Sequence, residues 1–409
     1  MEYGLIGKTL KHSFSPEIHN LLGNDKYQLK ELAENELQSF FGERKFKGIN
    51  VTIPYKESVM QYLDEIDSVA KSIGAVNTVI NKNGVLFGYN TDYYGLLKTV
   101  ERLKVNVKGK VVAVLGSGGA SKCAKVVFEN LGAKKVLIVS RNGEVNYQNL
   151  SREKDISILV NASPVGMKPN AGECLVDLNQ FAKLKCVIDL VYNPKITELL
   201  FRAKSKNIDC VNGLPMLVYQ AISAHQLWSG EKVQEEMAES IINKIDKETI
   251  NIVLIGMPGA GKTSVGKVIA QKLNREFYDS DEEFEKTYST TPSSCIKESG
   301  EQAFREKEQE IIKTLSSKNG IVLATGGGAI LKEINRKNLI SNGIVIFIER
   351  DIEKLATDNR PLSAQGKITE LYEKRLPIYE SCCDIKVNGN KEINSVANEI
   401  IERVFKENK

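Results

Sequence analysis

The 409-residue sequence has no apolar run approaching 18 residues, and its first residues carry no hydrophobic leader core. The first absence argues against a membrane-spanning helix, and the second predicts no secretory leader. Cysteine is sparse: seven residues, at 123, 174, 186, 210, 295, 382 and 383, with no CxxC pair. An odd number of scattered, mostly apolar-flanked thiols argues against a disulfide framework. It predicts reduced core cysteines and a cytoplasmic location. An excess of one charge sign is also missing. Lys and Arg number 56 against 52 Asp and Glu, a formal net charge of +4, and no polybasic arm appears. No nucleic-acid partner and no membrane partner are therefore expected. Repeats and low-complexity segments are absent as well.

What is present is the balance of a soluble globular chain, 42% hydrophobic and 26% charged. The length exceeds one ordinary core, so two or three domains are expected. Short apolar runs alternate with helix-like stretches throughout, which predicts α/β architecture with parallel sheets. "VVAVLGSGGAS" at 111–121 and "NIVLIGMPGAGKTS" at 251–264 both read as strand, Gly-rich turn and helix start. Further buried-strand candidates are "KKVLIVSRN", "SILVNASPVG", "VIDLVYNP", "GIVLATGGG" and "GIVIFIER". Val233, Met237, Ile241 and Ile245 recur at helical spacing, as in a closing helix. The few polar residues of 246–249 then read as the main joint.

In the second half, Gly256–Thr263 fits GxxxxGK[ST] residue for residue. Its glycines let backbone N–H groups face phosphates. Lys262 would reach the β- and γ-phosphate oxygens, and the Thr263 hydroxyl would coordinate Mg²⁺. The helix that follows adds its positive N-terminal end. Asp279 and Asp281 stand two apart at a strand end. One carboxylate can hold Mg²⁺ while the other orients an acceptor hydroxyl. Glu282, Glu283 and Glu285 read as a solvated helix start. Arg305 and Arg375 suit bidentate capture of a small acid's carboxylate, although each taken alone reads as a surface residue. Gly326–Gly328 permits close backbone approach to a ligand.

These segments, with "GEQAFR" at 300–305, "RPL" at 360–362 and "RLPIY" at 375–379, resemble shikimate kinase over nearly all of 250–409. The resemblance implies an ATP site of Gly259, Ala260, Gly261, Lys262, Thr263, Ser264 and the lid residue Arg360. It implies Mg²⁺ at Thr263 and Asp279. It places shikimate against Asp281, Arg305, Gly326, Gly327, Gly328 and Arg375, with Lys262 and Asp281 catalytic. Ile296 stands where the family usually has an aromatic residue, and the lid after Pro361 is short.

In the first half, Gly116 and Gly118 fit GxGxxG, but Ser121 replaces the third glycine. The next strand ends at Ser140-Arg141, where an NAD site has an acidic residue. A basic residue there suits the 2′-phosphate of NADP. Upstream, Lys56 follows a strand and a proline, and Asp92 lies in a polar turn. A lysine ammonium beside a carboxylate can donate a proton to a carbonyl oxygen as hydride reaches the carbon. Alone, the pair reads as a surface salt bridge. Ser13, Ser15, Asn77 and Gln220 add polar groups.

That whole set resembles shikimate dehydrogenase over about 1–245, through "SFSP", "NVTIPYK", "GAVNT", "GYNTD", the Gly-rich loop, "NASPVGM" and "MLVYQA". The resemblance implies catalysis by Lys56 and Asp92. It implies substrate contacts from Ser13, Ser15, Thr52, Asn77, Asn90, Tyr192 and Gln220. NADP would meet Gly116, Ser117, Gly118, Gly119, Ala120, Ser121, Ser140, Arg141, Asn161 and Gly213. The segment 142–156 is short. His12, His19 and His225 are given no role; flanking turns and a helix surface explain them.

Together these resemblances predict an α/β substrate domain (1–100 plus 213–246), a Rossmann NADP domain (101–212) and a P-loop kinase domain with a parallel sheet (250–409). NADPH would reduce 3-dehydroshikimate to shikimate, and ATP with Mg²⁺ would phosphorylate it. Two alternatives stay open at this point: a dehydrogenase half acting on quinate or a related cyclohexene acid, and one half serving as a non-catalytic ligand-binding module. Partners are small-molecule substrates, and a homodimer is compatible with the chain.

Overall fold

The structure is a computed structural model that describes residues 1–10, 13–168, 171–355 and 365–406. His12, Arg360 and the lid expected around Pro361 lie outside the described residues. The described chain forms two compact units: Met1–Tyr192 with Thr197–Lys244, and Asn193–Ile196 with Ile245–Lys409.

The first unit holds two sheets. One contains β1 (Tyr3–Gly7), β2 (Tyr27–Glu31), β3 (Gly48–Val51), β4 (Glu65–Ile66), β5 (Thr78–Lys82) and β6 (Val85–Tyr89), in the order β2-β1-β3-β5-β6-β4. This sheet is mixed, not wholly parallel as expected, because β5 pairs antiparallel with both β3 and β6. The reversal is local. Asn83 and Gly84 both take positive φ, 54° and 89°, the left-handed pair that closes a two-residue hairpin.

The second sheet contains β7 (Val111–Leu115), β8 (Lys135–Val139), β9 (Ile156–Asn161), β10 (Cys186–Asp189) and β11 (Asp209–Val211), all parallel, in the order β11-β10-β9-β7-β8. Val112, Ala113, Val114, Leu159 and Val187 are fully buried. Continuous apolar strands of this kind require cover on both faces, as parallel sheets have. The Gly-rich turn leaves the end of β7, where the strand order reverses. Ligands bind at such switch points.

The second unit has a parallel sheet of β12 (Asn251–Ile255), β13 (Phe277–Asp279), β14 (Val322–Ala324), β15 (Gly343–Glu349) and β16 (Ile385–Asn388), in the order β13-β14-β12-β15-β16. Its phosphate loop likewise leaves β12 at the switch point.

Two local expectations change. Residues 246–249, read as a polar joint, are the last turn of the helix Glu235–Thr249. Its buried stripe is Ala238, Ile241, Ile242 and Ile245, while Met237 is 45% exposed and Val233 precedes the helix. The stripe starts one residue later than the longest apolar side chains suggested, because small Ala238 faces inward.

Candidate functional site

Among the dehydrogenase-type residues, Lys56 and Asp92 form an ion pair. Lys56 Nζ donates to Asp92 Oδ2 at 2.5 Å, with the two side chains 20% and 11% exposed. Asp92 lies in the first turn of the helix Thr91–Arg102, whose positive end favours the carboxylate. Asn77 fixes that turn. Its Oδ1 accepts the Thr91 N–H at 2.7 Å and the Thr91 and Thr78 hydroxyls at 3.2 and 3.1 Å. Asn90 donates to Ala75 O at 2.8 Å, leaving its own Oδ1 buried without a hydrogen bond. An unmet acceptor there suits a ligand hydroxyl.

Gly95 lets the helix Leu214–Ser229 close in: a Cβ would lie 2.6 Å from Met216 O and 3.0 Å from Gln220 Cβ. Gln220 is held there by a 2.8 Å bond to Leu217 O. Ser13 Oγ accepts the Ser15 N–H at 3.2 Å, and Tyr192 stacks obliquely on Phe14 at 5.7 Å. These three do not line the cleft that Lys56 and Thr52 share with the Gly-rich turn.

That cleft, of about 660 Å³, is lined by Thr52, Lys56, Gly116–Ala120, Ser140 and Arg141. Gly116 has φ +119°, and a Cβ on it would sit 2.9 Å from Ala162 O. Both facts demand glycine. Ser121, standing at the third glycine position, donates its hydroxyl to Gly116 O at 2.7 Å and so braces the turn. Gly118 caps the helix Gly119–Asn130, whose open N–H groups make the cradle. A Cβ on Gly119 would lie 3.9 Å from Lys56 Cδ, so the cradle adjoins the ion pair. The open cradle and the neighbouring Arg141 fit a dinucleotide with an extra phosphate.

Asn161 is a brace and not part of the cleft wall. Its amide donates to Val165 O and Asp189 Oδ1, and its Oδ1 accepts from Ser163. Asp189 is fully buried, and burial raises its pKa to about 6 despite bonds from Thr197, Val191 and Asn161. Gly213 backs directly onto Leu190 O. The wall itself includes Ala162 and Ser163, which the sequence reading did not single out.

His19 is not explained by flanking turns. It is fully buried, stacked at 4.0 Å on Tyr27 and 5.2 Å from Trp228, and burial lowers its pKa to about 3. It is a neutral core ring.

In the second unit, Gly256, Gly259 and Gly261 take positive φ and wrap the loop around the start of the helix Lys262–Leu273. Lys262 folds back onto Gly256 O and Met257 O at 3.0 and 2.9 Å. The Thr263 hydroxyl donates to Asp279 Oδ2 at 2.6 Å, and Asp279 Oδ1 accepts the Asp281 N–H at 3.0 Å. Ser264 follows on the same helix, and Ala260 is buried in the loop. A hydroxyl and a carboxylate in contact beside a phosphate loop fit Mg²⁺, whose other ligands are phosphate and water oxygens. No cluster of three or more His, Cys, Asp or Glu metal ligands occurs among the described residues.

Each glycine of 326–328 meets a different neighbour. A Cβ on Gly326 would lie 2.6 Å from Asp281 Oδ1, on Gly327 2.6 Å from Pro258 Cδ, and on Gly328 2.5 Å from Arg305 Nη2. Gly327 O accepts from Arg375 at 3.2 Å and from the Tyr379 hydroxyl at 2.5 Å. The loop thus gathers Asp281, Arg305 and Arg375 beside the phosphate loop. Glu308 completes the group and was not anticipated. It is 3% exposed and bonds Arg305 at 2.8 Å, and burial pushes its carboxyl pKa up against the pull of Arg305, Arg375 and Lys332. Its sequence context, "REKEQE", looks like an exposed helix face. Ile296 packs against the unit's core.

Comparison with known proteins separates the two halves. A shikimate dehydrogenase substrate binding domain model matches residues 5–79, and a shikimate kinase model matches 258–405. A shikimate dehydrogenase (NADP(+)) of Clostridium perfringens is 40% identical over 264 residues, covering 59% of this chain and 97% of that relative. Among solved structures, shikimate dehydrogenase 1 from Peptoclostridium difficile has a TM-score of 0.55 at 38% identity, covering 60% of this chain and 97% of its own. The Thermus thermophilus shikimate 5-dehydrogenase in complex with NADP(H) and shikimate has a TM-score of 0.55 at 30% identity, covering 60% and 99%. The chain belongs to the shikimate dehydrogenase family over its first three-fifths and carries a shikimate kinase domain after it.

Proposed function

We propose that this chain is a bifunctional shikimate-pathway enzyme, which reduces 3-dehydroshikimate to shikimate and then phosphorylates shikimate to shikimate 3-phosphate. The observation that carries this reading is the presence of two intact polar constellations, Lys56–Asp92 beside one Gly-rich turn and Thr263–Asp279–Asp281 beside another.

In the reductase, NADPH supplies the hydride. Lys56 donates a hydrogen bond, and then its proton, to the oxygen of the keto group. Asp92 holds the ammonium in place and takes a substrate hydroxyl. Asn77, Asn90, Thr52 and Gln220 fix the ring, and Ser13, Ser15 and Tyr192 bind its carboxylate end. Arg141 and Ser140 select NADPH.

In the kinase, Arg305 and Arg375 clamp the shikimate carboxylate. Asp281 orients the 3-hydroxyl towards the γ-phosphate and Lys262 draws charge off the phosphoryl oxygens, while Arg360 would meet ATP as the family resemblance implies. Thr263 and Asp279 would hold Mg²⁺, which neutralises phosphate charge.

We also read the protein as cytoplasmic, with a homodimer compatible with the chain. All seven cysteines are unpaired, and no described helix is long and apolar enough to cross a membrane. Light scattering on the purified chain tests the dimer.

The functional test uses one preparation. Shikimate-dependent NADP⁺ reduction and shikimate-dependent ADP release should both occur. Loss of either reaction in a folded preparation would reduce the chain to a single activity.

A further inference from the structure

Residues 140–150 form a loop closed on itself. The Ser140 N–H donates to Val145 O at 3.2 Å, and Val139 and Val145 form a parallel bridge. Asn146 and Asn149 clasp each other. Each backbone N–H donates to the other's side-chain oxygen, at 2.8 and 3.1 Å, and Asn149 Nδ2 reaches Glu144 O at 2.9 Å. Side-chain-closed turns of this kind fix a short segment firmly. Leu150, fully buried, pins the end.

Between the two asparagines the loop carries Tyr147, half-buried in the wall of the cleft beside Ser140, Arg141 and the Gly-rich turn. Among the described residues its hydroxyl makes no hydrogen bond, and the Arg141 guanidinium makes no ion pair. The hydroxyl is not among the buried unpartnered atoms, so it is open to solvent and to a ligand in the cleft. Burial keeps this phenol protonated and Arg141 lies within electrostatic reach of it. The corner therefore presents a phenol donor, a guanidinium and a serine hydroxyl to a common space.

We propose that the Tyr147 hydroxyl, acting with Arg141, binds the 2′-phosphate of NADPH and sets cofactor choice. The proposal rests on the NADP reading of the cleft and deepens it. A phosphate monoester has three terminal oxygens. Arg141 takes one edge through charge-assisted bonds, and Tyr147 donates to another oxygen. The short loop is then what brings this donor to the cofactor.

The test measures binding of 2′,5′-ADP and 5′-AMP to the full-length chain by calorimetry, in wild type, Tyr147→Phe and Tyr147→Ala. Phenylalanine keeps the ring and its packing and removes only the donor. Tyr147→Phe should weaken 2′,5′-ADP by roughly tenfold, the scale of one hydrogen bond to a charged group. It should leave 5′-AMP unchanged, raise the KM for NADPH and spare that for NADH. Tyr147→Ala should weaken 2′,5′-ADP at least as much. If Tyr147→Phe binds 2′,5′-ADP as tightly as wild type, or weakens both ligands equally, the proposal fails and Tyr147 is packing alone. If wild type itself binds the two ligands equally, the NADP reading fails first and takes this proposal with it.

Discussion

Lys56 Nζ stands 2.5 Å from Asp92 Oδ2, and the same lysine's Cδ lies 3.9 Å from where a side chain on Gly119 would begin. Lys56 thus bonds its acid–base partner and lies beside the backbone cradle without bonding to it. That geometry separates chemistry from cofactor affinity.

Lys56→Ala is expected to lower kcat for reduction by roughly 10²–10⁴, the usual worth of a placed proton donor. The dissociation constant for NADP⁺ should hold, because the cradle is backbone. Retained NADP⁺ binding also reports that the unit carrying the substitution is folded. Near-native turnover would remove Lys56 from the chemistry.

Arg141→Asp should weaken NADPH through lost pairing and new repulsion, and leave NADH less affected or improved. Steady-state KM values for the two cofactors decide it. An equal loss for both would make Arg141 a structural residue.

Arg305→Ala should raise the shikimate KM of the kinase, at a cost of roughly 1.5–3 kcal/mol for a lost charge-assisted contact. ATP affinity should change little. The substitution also strips buried Glu308 of its 2.8 Å partner, so stability should fall too. Adding Glu308→Gln should restore the melting temperature and leave the KM high. A collapse of ATP binding instead would place Arg305 in the nucleotide site.

Asp189 gives a pH prediction. Its pKa rises from 3.8 to about 6 on folding, through burial. The folded chain therefore holds this proton more tightly than the unfolded one. The stability it contributes is full below the unfolded value and is lost as pH climbs through the folded value. In Asp189→Asn, the new amide can donate to Thr197 while the remaining oxygen keeps Asn161 and Val191. Unfolding followed through Trp228, the single tryptophan, should show wild type losing ground to the variant between those two pH values and no further above them. A difference that does not vary with pH would mean that Asp189 is already ionised across the range.

The parts legible in the sequence were those where function dictates contiguous spacing. Gly256–Thr263 and Gly326–Gly328 each lie in one run, because one backbone segment must meet one ligand. The hairpin at Asn83-Gly84 carried a readable signal too, yet the alternation of strands and helices drew the reading towards parallel sheets. Other features depend on partners distant in sequence. Glu308 looks like surface charge until the fold buries it, within electrostatic reach of Arg375, sixty-seven positions on. Asn161 looks like a ligand contact until Asp189, twenty-eight positions on, takes its amide. His19 looks like turn chemistry until Tyr27 and Trp228 pack against it in one aromatic cluster. In each case local composition was correct and burial came from elsewhere.

The three adjacent glycines of 326–328 also have a genetic consequence. Any missense change at these codons adds a Cβ, so all three should tolerate nothing, but for separable reasons. At Gly326 and Gly328 the obstruction is Asp281 or Arg305, and a second-site change that relieved it would discard a substrate-binding group. At Gly327 the obstruction is mainly the ring of Pro258, which contributes no charge to either ligand. Selection for restored growth on a Gly327→Ala allele should therefore yield intragenic suppressors at codon 258, and the alleles on either side should yield none.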